Sequence, residues 1–176
     1  MHRVTDTEKL DTVLRYCRVA AGTSANAVPG RLPFETPCSI DHDTVLPPAE
    51  TLLVSPKADG VRYLLCLCVD GKGRPIATFV NRSEEAYSVT VSAPESWFRM
   101  GCVYDGELCL LKNKHKKAYL VFNILSFKGE ALFHRSYRDR VSCIAKSIPA
   151  EVLATEGQRR TYGACLLTCE DFDIVA

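Results

Sequence analysis

Lys57-Ala58-Asp59-Gly60-Val61-Arg62 places a primary amine and a guanidinium five residues apart, on either side of a glycine. A lysine amine is nucleophilic only when unprotonated, so a protein that uses one must lower its pKa by desolvation or with neighbouring cations. Arg62 could serve that end and also bind a phosphate oxygen through its planar fork. Gly60 permits a tight turn and close backbone approach to a ligand. The flanking stretches Thr51–Ser55 and Tyr63–Val69 read as strands, which would hold the amine at a strand end.

Further along the chain come Phe79-Val80-Asn81-Arg82-Ser83, Tyr104-Asp105-Gly106-Glu107-Leu108 and Ala118-Tyr119-Leu120-Val121-Phe122-Asn123-Ile124-Leu125, then Tyr137-Arg138-Asp139-Arg140-Val141. Upstream lie Val28-Pro29-Gly30 and Pro37-Cys38-Ser39-Ile40. In order and spacing these segments resemble the motifs of the covalent nucleotidyltransferases, the superfamily of mRNA capping guanylyltransferases and ATP- or NAD-dependent ligases. The Lys-Ala-Asp-Gly-x-Arg-Tyr wording is most similar to capping enzymes of animals and large DNA viruses. The resemblance runs from about Val28 to Val141.

It implies an α+β fold, mainly antiparallel sheet, in which Lys57 attacks the α-phosphate of GTP and hands GMP to a diphosphate-ended RNA. Arg62, Arg82, Glu107 and Phe122 would bind the nucleotide, Phe122 by stacking on the purine. Asp59, Gly60, Asp105 and Gly106 would support the site. Glu107 would also be a candidate ligand for a divalent cation, Mg2+ or Mn2+. The residues alone leave plainer readings open: an edge-strand glutamate, a turn arginine in Asn-Arg-Ser, and a core phenylalanine. One departure stands out. The family usually has an acid directly after the stacking aromatic, and here that position is Asn123, which keeps hydrogen-bonding capacity without the charge.

Two later family motifs, a metal-binding Glu-Gly strand and a phosphate-gripping Lys-x-Lys strand, have no counterpart, and no lysine follows Lys146. The C-terminal oligonucleotide-binding domain is absent as well. The expectation is therefore a partial catalytic domain, poor in activity unless a C-terminal extension or partner chain supplies those groups. ATP-dependent polynucleotide ligase is the alternative enzyme, and a non-catalytic binding or scaffolding module the alternative of another class.

Composition narrows the setting. The chain has 176 residues, 47% hydrophobic and 24% charged, which suits one globular domain. A net charge of +1 predicts no global field for nucleic acid, so RNA contacts must come from a local patch. The basic tip Lys112, Lys114, Lys116 and Lys117 is a candidate, although a solvated turn explains it as well. No long apolar run or leader core is visible, so an intracellular setting without membrane contact is expected, nuclear or in the host cytoplasm if viral. Nine cysteines form no Cys-x-x-Cys pair, and none of the four histidines stands at metal spacing. Reduced, structural cysteines follow, with Cys66 and Cys68 on one face of a strand.

The elements that must position the site divide into a helical, proline-rich lead-in over 1–50 and the partial catalytic domain over 51–176. Leu10, Val13, Leu14 and Cys17 predict a helix from Thr5 to Ala20, capped by Asp6 or Thr7. Residues 22–50 read as an extended wrap. Strands are expected at 51–56, 61–69, 75–80, 86–92, 103–112, 117–126 and 163–168, with helices at 134–147 and 150–157. Asp70-Gly71-Lys72-Gly73 is a hairpin turn, and Arg138, Asp139 and Arg140 are expected to pair along a helix surface.

Overall fold

The computed structural model describes residues 1–23, 32, 43–46, 48, 59–91, 93–111, 116–147 and 166–167. Lys57, the strand expected at 51–56, most of the 22–50 wrap and the helix expected at 150–157 lie outside the described residues.

The centre of the fold is β2 (Gly60–Val69). Its run Leu64-Leu65-Cys66-Leu67-Cys68 is buried without interruption because both faces of the strand are covered. On one face Leu64, Cys66 and Cys68 meet Val13, Leu14 and Cys17 of α1 (Thr7–Ala20). On the other, Leu65 and Leu67 meet Trp97 and Phe98 of α2 (Glu95–Met100), in a cluster that also holds Ile144 of α3 (Tyr137–Ser147). The sheet is thus sandwiched between α1 and the α2/α3 pair.

Around β2 the sheet runs β1 (His2–Arg3), β4 (Ala86–Val89), β3 (Pro75–Val80), β2, β5 (Cys102–Leu111), β6 (Lys116–Phe127) and β7 (Glu130–Ala131). A short β8 (Leu166–Leu167) pairs with β6 at Tyr119 and Leu120, and every pairing is antiparallel. The fold is therefore α+β and mainly antiparallel, as expected. Among the described residues no helix is long and apolar enough to cross a membrane.

The α1 cap is Asp6, whose carboxylate accepts from the Lys9 amide at 3.0 Å. The 70–73 hairpin closes through Asp70, whose Oδ1 accepts from the Lys72 and Arg74 amides, with Gly73 at φ +76°. Expectation and structure differ in several places. The strand at 86–92 ends at Val89, and the helix at 134–147 starts at Tyr137 after a Ser136 cap held by Asp139. β1, β7 and α2 are too short to leave a periodic signal. Arg140 is buried rather than paired on the helix surface.

Cys66 and Cys68 are buried on one face, as their spacing predicted, and both are free. Hydrogen bonds with Cys17 and Cys68, together with burial, push the Cys66 thiol well up.

Candidate functional site

A cleft of about 790 Å³ opens where the first residues of β2, the β3–β4 turn, β5, β6 and the start of α3 converge. Its walls are Gly60, Val61 and Arg62 from β2, Asn81, Arg82 and Ser83 from the turn, Glu107 from β5, Phe122 and Asn123 from β6, and Tyr137 from α3. The four residues expected to bind a nucleotide, Arg62, Arg82, Glu107 and Phe122, all stand in it. The size suits a small-molecule site.

Register explains the gathering. Arg62 faces Glu107 across the β2–β5 ladder, and Asp105 lies two residues further along the same face. Arg62 makes a two-pronged ion pair with Asp105, Nε to Oδ1 at 2.9 Å and Nη2 to Oδ2 at 2.6 Å. Asp105 is almost wholly buried, its side chain 3% exposed against 14% for Arg62. This pair fixes the guanidinium, which lies 5.3 Å from the centre of the Phe122 ring.

Phe122 reaches the cleft through a break in the ladder. Asp105 pairs with Asn123 and Gly106 with Val121, so Phe122 is an extra residue on β6. In a regular strand Phe122 and Asn123 would point to opposite faces; the bulge lets both line the cleft. Tyr137 pins the bulge from above by donating its hydroxyl to the Phe122 carbonyl at 3.0 Å.

Two glycines draw the strands together. A Cβ on Gly106 would collide with the Leu120 carbonyl and the Tyr119 ring, and one on Gly60 would stand 2.6 Å from the Leu108 carbonyl oxygen. Gly60 is the first residue of β2, so its close approach is to the neighbouring strand and not part of a turn. Asp59 precedes it. Together with burial, Glu107 and Asp59 raise the thiol pKa of Cys109.

Arg82 is exposed on a turn built by Asn81, whose Oδ1 accepts from the Ser83 and Glu85 amides at 2.9 Å each. Glu84 adopts φ +61°, and its carboxylate meets Arg18 of α1 at 3.0 Å. Glu85 meets Arg3 of β1 at 2.9 Å, and hydrogen bonds from Asn81 and Tyr87 help hold its carboxyl below the usual range. The N-terminal elements thus brace the turn that presents Arg82.

Glu107 Oε2 is buried and, among the described residues, has no hydrogen-bond partner. An orphaned carboxylate oxygen in a cleft is the donor a hard cation takes, and magnesium commonly binds through one or two carboxylates plus substrate phosphates. The residue present fits such an ion. No group of three metal-type ligands occurs among the described residues.

Sequence reasoning did not place Asn81, Ser83 or Tyr137 in the site. Asn81 and Tyr137 sat inside segments quoted for the resemblance, but their contacts depend on the turn and the bulge. Residues 2–164 match the family model described as mRNA capping enzyme, catalytic domain. Among curated proteins none matches the chain.

Proposed function

Because the chain belongs to the mRNA capping enzyme catalytic-domain family, a nucleotidyltransferase family, we propose that it carries GMP from GTP to the 5′ diphosphate end of RNA by way of Lys57. In the first step the Lys57 amine attacks the α-phosphorus, a P–N bond forms, the P–O bond to pyrophosphate breaks, and the amine proton passes to solvent. In the second, a terminal phosphate oxygen of the RNA attacks the same phosphorus and the amine leaves, reprotonated.

The observation that carries this reading is the convergence of Arg62, Arg82, Glu107 and Phe122 on one cleft at the start of the strand that follows Lys57. Phe122 offers a ring for the purine. Arg82, exposed at the rim, supplies positive charge for the phosphates, where oriented charge lowers the barrier most. Arg62, fixed by Asp105, presents a guanidinium whose position needs no reorganisation during reaction. Glu107 would hold a divalent cation, magnesium or manganese, which when bound supplies further positive charge against the phosphate oxygens.

The test joins the protein to a C-terminal extension or partner chain that carries the later lysine pair and metal-binding glutamate. It is incubated with α-labelled GTP or ATP and a divalent cation, and the adduct is identified by mass spectrometry; the 176 residues alone should label weakly. Labelling by GTP at Lys57, lost in Lys57→Ala and discharged by diphosphate-ended RNA, is expected. Labelling by ATP alone would move the reading to a ligase. Labelling that survives Lys57→Ala would remove the lysine from its role.

A further inference from the structure

Phe122 offers its ring to the cleft without an apolar bed of its own. It is half-buried and, among the described residues, is packed against neither hydrophobic cluster. As the extra residue of the bulge it also lacks a register partner on β5. A side chain in that position takes its direction from its own peptide unit, and a ladder does not fix that unit.

The helix α3 supplies the constraint. Its first residue, Tyr137, donates its hydroxyl to the Phe122 carbonyl at 3.0 Å. One turn on, Arg140 donates Nε to Asn123 Oδ1 at 2.9 Å. Tyr137 and Arg140 share a helix face, and the Arg140 guanidinium lies 5.7 Å from the centre of the Tyr137 ring. Two neighbouring residues of the bulge are thus gripped by two successive turns of one helix. The grips differ in depth. Arg140 is buried, donates Nη1 to the Arg135 carbonyl at 2.8 Å, and with buried Ile144 keeps α3 docked on the sheet. Tyr137 is 38% exposed and stands in the cleft wall. Its hydroxyl ties down the main chain of the one residue whose ring faces the ligand, which is a narrower task than docking a helix.

We propose that Tyr137 is a positioning residue for the purine. Its hydroxyl fixes the Phe122 peptide, and through it the tilt and depth of the ring on which the base stacks. A ring already set in place spares the ligand the cost of ordering it. Tyr137 acts through Phe122 and needs no contact with the nucleotide. The assignment rests on the reading of Phe122 as the stacking ring, and the single variants below separate the failure of one from the failure of the other.

The test is equilibrium binding of GTP and of inorganic tripolyphosphate to the extended protein of the labelling experiment. Tyr137→Phe, Phe122→Leu and the double variant are compared with it, and thermal midpoints are followed alongside. Tyr137→Phe keeps the ring beside Arg140 and removes one hydrogen bond, so the midpoint should move little. GTP binding should weaken by roughly three- to tenfold, while tripolyphosphate, which has no base, holds. In the Phe122→Leu background the same change should do nothing further, because the ring it positions is gone. An equal loss for both ligands, a loss that persists beside Phe122→Leu, or no loss of GTP binding would each overturn the proposal and leave the stacking reading standing. A Phe122→Leu protein that binds GTP like wild type would remove the stacking reading, and the proposal with it.

Discussion

The β2–β3 ladder and the β5–β6 ladder sit in the same sheet and are built on opposite plans. From Leu64↔Val80 to Val69↔Pro75 the first runs without a break, and its inward residues fill the two cores. The second shifts register twice, between Val103 and Tyr104 and between Asp105 and Gly106, and the second shift carries Phe122 and Asn123 into the cleft. Regular pairing is suited to packing because period-two alternation sends every second side chain to the same layer. A binding wall needs adjacent residues to face one way, and only an interruption provides that.

The contrast breaks most sharply under truncation. Phe79→Ala, in the regular ladder, removes a fully buried ring that packs 4.8 Å from Tyr119. It should cost about 3–5 kcal/mol of folding stability. Nucleotide affinity per folded molecule should stay near wild type, as denaturant titration and binding on the same sample would show.

Arg62→Ala tests a residue that belongs to both plans. It takes the guanidinium away from the buried Asp105 carboxylate, which should lower stability as well as weakening nucleotide binding. Adding Asp105→Asn should recover much of the stability and none of the binding. Equal recovery of both would mean that Arg62 acts only through the fold.

On the irregular side, Glu107→Ala and Arg82→Ala should each weaken triphosphate binding or adduct formation by about 1–3 kcal/mol, with little change in thermal midpoint. Phe122→Leu should do likewise for purines, because leucine keeps most of the burial and loses the stacking face. If Phe122→Leu unfolds the domain while affinity per folded molecule holds, the ring belongs to the core and the contrast fails there.

The smallest effect lies at the sheet's far end. Burial pushes the Cys102 thiol up to about 11, against an ordinary value near 9. The folded state then keeps a proton that the unfolded chain gives up. The associated stability is complete below about pH 9 and is lost as pH rises through the folded value, about 1 kcal/mol by about pH 10. Urea midpoints measured from neutral to alkaline pH should fall over that range, and less steeply in Cys102→Ala.

Much of this was legible beforehand because the relevant signals are local. The Leu64–Cys68 run, the Asp70 turn and the α1 periodicity each fix their element from neighbours in sequence. Four residues of the cleft, Arg62, Arg82, Glu107 and Phe122, could be named because they sit in motif segments of definite wording. What escaped depends on contacts between distant residues. Nothing in Phe122-Asn123 announces a bulge, since the extra residue is defined only against Asp105 and Gly106 on another strand. Arg140 read as a surface charge because its helix is polar. Its burial comes from Asn123, which lies 17 residues away in sequence. Tyr137 has a role in the cleft only once α3 is docked.

Gly106 has a consequence for how the cleft could be redesigned. The spacing of its aromatic side is a main-chain dimension, fixed by β5 and β6 lying too close to admit one methyl group. No choice of side chains can widen that jaw without moving a strand. The opposing jaw is a turn held by ion pairs to α1 and β1, which can lengthen or exchange partners. A version of this domain adapted to a bulkier ligand would therefore be sought at residues 81–85, and substitutions there should shift ligand preference long before any at 106 are tolerated.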